Sequence, residues 1–372
     1  MANLVLYRKY RPQTFAEIIG QEHIVQTLSN AVSLGMVSHA YLFSGPRGSG
    51  KTTIARVLAK ALNCRNRKDG QFEPCNNCSS CLEIKEGRSL DLIEIDAASH
   101  RGIDEIRELR EGIRFSPTKE KYKVFIIDES HQLTKEAANA LLKTLEEPPS
   151  HAIFVLATTE IYKMIPTIIS RCQRFDFRKL TLAEIVKRLE IISRKEKTRI
   201  EKPALELIAL NSAGSIRDAE SLLDQALTFA GTLGREGTIK IEDIKDILGL
   251  ADTNLISQFV DFILEKNGAG AVKFLEENLE KGYDPQEFAR ALVRYLRQAL
   301  LLKINPGAMN PVIIGLTKEE QEKLQAQSEK FTSQEIQQAL NLFLDAENKM
   351  KYSSIPQLPL ELAIVDFIQP KE

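Results

Sequence analysis

Up to Leu180 the chain alternates two hydrophobic patterns, and beyond it only one persists. Apolar runs of strand length occur at Tyr41–Phe43, Asp91–Asp96 (DLIEID), Lys121–Glu129 (KYKVFIIDE), His151–Thr159 (HAIFVLATT) and Gln173–Phe177. Val124 to Ile127 has no polar position, as expected of a parallel strand buried on both faces. Between these runs, apolar residues recur at helical spacing. They are Ile24, Val25, Leu28 and Val32 after Gln21; Ile54, Ala55, Val57 and Leu58; Ile103, Ile106, Leu109 and Ile113 in Ile103–Arg114; and Ala137, Ala140, Leu141 and Leu145 in Thr134–Glu146. The last of these helices stops at Pro148 and Pro149. Strands alternating with helices predict an α/β fold, a parallel sheet with flanking helices.

From Thr181 the strand runs cease. Helices are expected at Ala183–Lys195, Pro203–Asn211 and Ile216–Thr228, broken at Ala213–Ser215, and Gly231, Gly234 and Gly237 mark a turn before Ile241–Leu248. Further helices are expected at Leu255–Leu264, Val272–Leu279, Pro285–Leu302, Lys318–Gln327, Ser333–Lys349 and Leu358–Phe367. Loops at Gly268–Gly270, Gly282, Pro306–Gly307 and Pro356 separate them. This last part holds no catalytic constellation and reads as a packing or oligomerisation domain. A length of 372 residues exceeds one compact core, so two or three domains are expected.

Composition changes the picture little. With 43% hydrophobic and 27% charged residues, the chain reads as a soluble globular protein. A formal net charge of −1 means that any nucleic-acid contact must come from a local basic surface. No apolar segment is long enough to span a bilayer and the N-terminus lacks the order of a signal peptide, so the cytoplasm is the expected compartment.

The candidate chemistry begins after Phe43. Gly45, Pro46, Arg47, Gly48, Ser49, Gly50, Lys51 and Thr52 form a glycine-rich loop leading into a helix through Thr53. Such a loop can aim successive N–H groups at phosphates, with the helix dipole behind them. Lys51 would reach the β- and γ-phosphates, and the Thr52 hydroxyl would take one Mg²⁺ position. Asp128 and Glu129 end a buried strand, where ligands of open α/β sheets bind. Asp128 would hold Mg²⁺, and Glu129 would polarise the water attacking the γ-phosphate. Thr158 and Thr159, at the polar end of another strand, are candidates to sense that phosphate. The basic, aromatic opening (Tyr7, Arg8, Tyr10, Pro12) either lies against an adenine or is simply a packed arm.

Cys64, Cys75, Cys78 and Cys81, spaced C-x₁₀-C-x₂-C-x₂-C among turn-forming residues, suit a structural Zn²⁺ that staples an insertion too small for a core. An iron–sulfur cluster is the alternative. Ser99, His100 and Arg101 precede a helix and could hold a phosphate or serve as a solvated cap. Arg171 follows a short helix, where an exposed arginine is usually solvated or ion-paired. Arg217 begins a helix, which is unfavourable against the dipole and hints at an anion.

These residues together resemble the AAA+ ATPases, and within them the clamp-loader branch. The resemblance rests on GPRGSGKT (Gly45–Thr52), FIIDE (Phe125–Glu129), Ser170-Arg171-Cys172 and GSIRD (Gly214–Asp218). YRKYRP, HAYLFSGPRGSGKTT, the four-cysteine insertion and LKTLEEPP narrow it to the gamma/tau group of bacterial loaders, over essentially the whole chain. It implies a P-loop AAA+ ATPase domain over 1–178 with a zinc module inserted at 64–81, a helical lid over 179–242 and an all-α collar over 243–372. ATP, Mg²⁺ and Zn²⁺ are the implied cofactors.

Arg171 is implied to act in trans on a neighbouring subunit's γ-phosphate, and Arg217 to sense nucleotide in its own site. ATP binding would let a pentamer, made with delta- and delta-prime-type subunits and further copies of this chain, open a sliding clamp. Primer–template DNA would then trigger hydrolysis and release, and family members grip DNA from inside a spiral, which favours a DNA role for Ser99, His100 and Arg101. The chain ends at Glu372, before the region by which tau forms bind helicase and polymerase, so a gamma form or a shortened chain is expected.

Two rivals stand beside this reading. Asp128-Glu129-Ser130-His131 also spells the acidic box of a DExH helicase, but 181–372 offers no second RecA-like domain. A nucleotide-binding scaffold without turnover is the other, and intact Lys51, Thr52, Asp128 and Glu129 argue against it.

Overall fold

The computed structural model describes residues 4–99, 112–113, 115–232, 238–248, 253–305 and 316–369. The helix expected at Ile103–Arg114, together with His100 and Arg101, lies largely outside the described residues, as do Gly234, Gly237 and Pro306–Gly307. Two compact units are formed, one of Met1–Ile192 with Asn211–Asp224 and one of Ser193–Leu210 with Gln225–Glu372.

The first unit is built on five described strands, β1 (Ala40–Ser44), β2 (Leu92–Asp96), β3 (Lys123–Asp128), β4 (Ala152–Thr158) and β5 (Gln173–Asp176). All neighbours run parallel, in the order β2-β3-β4-β1-β5. Alternation along the strands divides the core between two faces. Tyr41, Phe43, Val124, Ile126 and Val155 pack with helices α2 (Glu22–Leu34) and α3 (Lys51–Asn63). Leu42, Phe125, Ile127, Phe154 and Leu156 pack with α5 (Lys135–Glu146). The central strands are therefore buried on both sides and need apolar residues at every position, whereas the edge strands β2 and β5 carry Glu94, Arg174 and Asp176. Thr134 caps α5, its hydroxyl accepting from the Ala137 N–H at 3.2 Å.

Three short pieces depart from the sequence reading. The N-terminal arm contains a one-turn helix, α1 (Leu6–Lys9), with Leu6 buried. The cysteine insertion, read as turns, ends in α4 (Ser79–Glu86), whose mixed sequence has no clear apolar stripe and which carries Cys81 inward. Gly268–Gly270, read as a loop, is the first turn of the helix Gly268–Glu280, because the Asn267 side chain accepts from the Gly270 N–H at 2.9 Å. A Cβ at Gly270 would meet that same side chain at 2.7 Å, so glycine makes room for the cap.

The short α6 (Pro166–Ile169) precedes β5, and the helices α7 (Leu182–Lys195), α8 (Lys202–Asn211) and α9 (Ile216–Thr232) follow it, with Ala213 and Gly214 at positive φ in the break before α9. Among the described residues after Thr181, the only β pairing is the isolated bridge Ile200–Ile239. In the second unit, helices Thr253–Leu264, Pro285–Ile304 and Ser333–Met350 meet at Phe259, which stands edge-on to Phe288 (centroids 5.1 Å) and to Phe343 (6.2 Å).

Gly48 (φ +73°) is packed against the break before α9: its carbonyl accepts from the Ile216 N–H at 3.2 Å, and a Cβ there would fall 1.9 Å from Ser215 Oγ. Gly48→Ala is therefore expected to cost about 1–3 kcal/mol. Ser215→Gly in the same chain should recover part of it, read by urea unfolding of single and double variants. Phe259→Ala empties a fully buried site and should destabilise the helical unit by about 3–5 kcal/mol in the same measurement.

Candidate nucleotide site and cysteine cluster

A cavity of about 190 Å³ opens where the loop after β1 meets the carboxyl end of β3. Arg47 to Ile54 line one side, with Asp128 and Glu129 beside them. Gly45, Gly48 and Gly50 all have positive φ, a curl that residues with a Cβ rarely adopt. Lys51 is buried, and its ammonium donates to the carbonyls of Gly45 (2.8 Å) and Pro46 (3.0 Å). Burial lowers its pKa, against the pull of Glu129 and Asp128. Ser49 donates to the Pro46 carbonyl at 2.8 Å and so closes the loop on itself.

Thr52 Oγ1 donates to Asp128 Oδ2 at 2.8 Å, and Asp128 Oδ1 accepts the Glu129 N–H at 3.0 Å. A hydroxyl and a carboxylate side by side are a donor set suited to Mg²⁺. Glu129 sits in the left-handed region (φ 47°), unfavourable for a residue with a Cβ, and its carboxylate accepts from Thr159 Oγ1 at 2.9 Å. Thr159 is thus joined to the acidic pair.

Thr158 reaches the pair only through His131, whose Nδ1 lies 3.5 Å from Glu129 Oε2, which corrects the expectation that it faces a phosphate. Its side chain is fully buried and does not line the cavity; its hydroxyl is shared with His131 Nδ1 (3.0 Å) and accepts the Glu160 N–H (3.0 Å).

The opposite wall comes from the N-terminal arm and the helices α7 and α9. Tyr7 and Pro12 line it, as does Arg217, whose guanidinium lies 4.8 Å from the Tyr7 ring centroid. A hydrogen bond from Arg217 lowers the Tyr7 pKa. Arg8 and Tyr10, grouped with these in the sequence reading, do not line the cavity: Arg8 is exposed beside the Tyr7 ring, and Tyr10 offers its carbonyl to Arg188.

Sequence reasoning missed Arg188 and Glu220 as lining residues. Arg188 and Glu220 form a buried ion pair at 2.8 Å between α7 and α9. Burial pushes the Glu220 carboxyl upward against the pull of Arg188. A signal was present, since Arg188 interrupts the buried face Ile185, Leu189, Ile192 and Glu220 lies beside buried Ala219.

Arg171 does not line this cavity. It donates to Glu146 Oε1 at 2.5 Å and to the Thr167 carbonyl at 2.8 Å. Its neighbour Cys172 is partly covered, and burial pushes its thiol up to about 12. Ser99 donates to Asp96 Oδ2 at 3.1 Å, so a carboxylate stands where a phosphate was expected to approach. His100 and Arg101 lie outside the described residues.

The four clustered cysteines are free, and their sulfurs all lie within 4.8 Å of one another. Cys64 ends α3, Cys78 precedes α4 and Cys81 is within it. Backbone N–H groups point at the sulfurs: Cys75 N–H at Cys64 (3.2 Å), and Asn77 and Cys78 N–H at Cys75 (3.4 and 3.3 Å). Burial raises the Cys64 and Cys81 thiols. At Cys75 burial is outweighed by the two N–H donors, and its thiol falls to about 6. Four sulfurs in this arrangement fit a tetrahedral metal, whose sulfurs would be about 3.8 Å apart.

Family profiles match consecutive stretches of the chain. They are described as DNA polymerase III, delta subunit (residues 20–181); DNA polymerase III clamp loader subunit, ATPase lid domain (184–232); and DNA polymerase III subunits gamma and tau domain III (239–372). The chain is 43% identical to DNA polymerase III subunit tau of Bacillus subtilis, over 99% of its own length and 64% of that protein's. It is 38% identical to DNA polymerase III subunit gamma of Buchnera aphidicola, over 98% of both. It spans about half to two-thirds of the tau relatives, 47% in Escherichia coli. The RuvB Holliday junction branch migration motor of Thermotoga maritima shares the fold, with a TM-score of 0.50 at 20% identity over 69% of this chain and 80% of that one. A five-stranded parallel sheet bearing a phosphate loop, followed by helices and matched end to end by these relatives, makes this chain a member of the gamma/tau family of DNA polymerase III clamp-loader subunits.

Proposed function

We propose that the chain is an ATPase subunit of the bacterial replicative clamp loader, using ATP to open a sliding clamp and load it onto primer–template DNA. The observation that carries this is the Thr52–Asp128 bond beside buried Lys51, in a cavity that Arg217 also lines. The loop amides and Lys51 would hold the phosphates, and Thr52 with Asp128 would hold Mg²⁺, which would offset the charge on them. Glu129, held by Thr159, orients the attacking water, and Tyr7, Pro12, Ile18 and Ile19 cover the base. Residues 1–178, 179–242 and 243–372 serve as ATPase, lid and collar. Assembly is with delta- and delta-prime-type subunits and further copies of the chain. Among the described residues no helix is long and apolar enough to cross a membrane, which agrees with a cytoplasmic, nucleoid-associated place.

Arg171 is proposed to act in trans. Its position outside its own chain's cavity and the partial exposure of its side chain support this. An arginine lent across an interface ties hydrolysis to assembly. In the reconstituted loader, Arg171→Ala is expected to bind ATP normally yet lose DNA- and clamp-stimulated turnover by about 10³-fold. Normal turnover removes Arg171 from the mechanism, and unwinding of duplex DNA without clamp would favour a helicase.

Cys64, Cys75, Cys78 and Cys81 are proposed to hold one structural Zn²⁺. Metal analysis of the purified chain should give one zinc per polypeptide, and Cys81→Ser should lower that content and the thermal stability together. Iron with visible absorbance would instead indicate an iron–sulfur cluster.

A further inference from the structure

The cysteine insertion touches the arm that forms the base side of the cavity. Glu73, two residues before Cys75, accepts the backbone N–H groups of Phe15 (2.9 Å) and Ala16 (2.8 Å). Phe72 lies against Phe15, with ring centroids 6.2 Å apart. From the other side, Asn76 Oδ1 accepts from Lys60 Nζ at 2.5 Å, and the same ammonium donates to Gln13 Oε1 (2.8 Å) and the Gln13 carbonyl (3.2 Å). Lys60 is 2% exposed and belongs to α3, the helix that Lys51 begins.

The pinned stretch, Gln13 to Ala16, is flanked by lining residues on both sides, Arg11 and Pro12 before it and Ile18 and Ile19 after it. Gln13 also bonds outward to both flanks, its amide donating to the Arg11 carbonyl (2.8 Å) and its N–H to Glu17 Oε2 (2.6 Å). Glu73 and Asn76 are themselves presented by the turn through Cys75 and Cys78, whose shape depends on what gathers the sulfurs. Among the described residues the insertion's buried cluster consists of cysteines, with no larger apolar core of its own.

We propose that the cysteine cluster, when it holds its metal, acts as a strut that sets the base-side wall of the nucleotide site, with Glu73 as the positioning residue. This rests on the nucleotide reading above. An arm released from Glu73 populates its binding-competent shape less often, and the apparent affinity falls by that fraction. The phosphate side, built on the loop and β3, does not depend on the arm. The cost therefore falls on ATP and not on a ligand made of phosphates alone.

The test uses the full chain and two probes, Mg·ATP and Mg·tripolyphosphate, with dissociation constants measured by calorimetry and zinc content measured on each sample. Glu73→Ala is expected to bind ATP about tenfold more weakly and tripolyphosphate within about twofold of the unaltered chain, with zinc retained. Glu73→Gln keeps a neutral acceptor and should restore part of the ATP affinity. Stripping the metal from the unaltered chain should reproduce the same ATP-selective loss. Unchanged ATP affinity in Glu73→Ala, or equal losses for both probes in both Glu73 variants, overturns the proposal. An unaltered chain that binds neither probe removes the nucleotide reading itself, a result distinct from either of these.

Discussion

The hydroxyl–carboxylate bond between Thr52 and Asp128 is the contact on which the rest of the first unit depends. It joins the first turn of α3, the helix that follows β1, to the end of β3, and β1 and β3 are separated in the sheet by β4. It forms only if both strands reach the same level, and the register achieves that: Ser44 lies opposite Thr158, and Ile127 opposite Leu156. A sheet covered on both faces by aliphatic and aromatic side chains holds that level rigidly, because close-packed interiors do not slide by fractions of a residue. Loop, acidic pair and Thr159 are therefore pre-set by the core and not by any ligand.

The other wall is held by different physics. Arg188 and Glu220 are both nearly inaccessible, and two charges withdrawn from water usually gain little net stability over an apolar pair. What they add is direction: Arg188 also donates to the Tyr10 carbonyl, so one guanidinium holds α7, α9 and the N-terminal arm in a single geometry. Replacing both Arg188 and Glu220 with hydrophobic residues would keep the packing and lose the alignment. Arg217 uses the same arm differently, lying over Tyr7 while still exposed and able to change partners.

Most of the fold was legible because burial on two faces leaves a simple trace, an unbroken apolar run such as Val124 to Ile127. The phosphate loop was legible because its glycines have no substitute at their backbone angles. The cysteines could be grouped by spacing alone. What escaped depends on distant chain segments meeting. Glu73 looks like any polar residue in a turn until Phe15 and Ala16 are beside it. Thr158 and Thr159 look equivalent at a strand end, yet the pleat sends the first into the interior and the second toward Glu129. The helix Ser79–Glu86 has no apolar stripe to announce it and is tied to the cluster through Cys81.

The strand order has a consequence for the chain as it leaves the ribosome. Ala40–Ser44, the stretch leading into the phosphate loop, pairs with Ala152–Thr158 and Gln173–Asp176, and among the described residues with nothing nearer. At bacterial rates of synthesis its apolar side chains wait on the order of ten seconds for those partners to emerge. The strand that leads into the phosphate loop is thus among the first made and among the last secured.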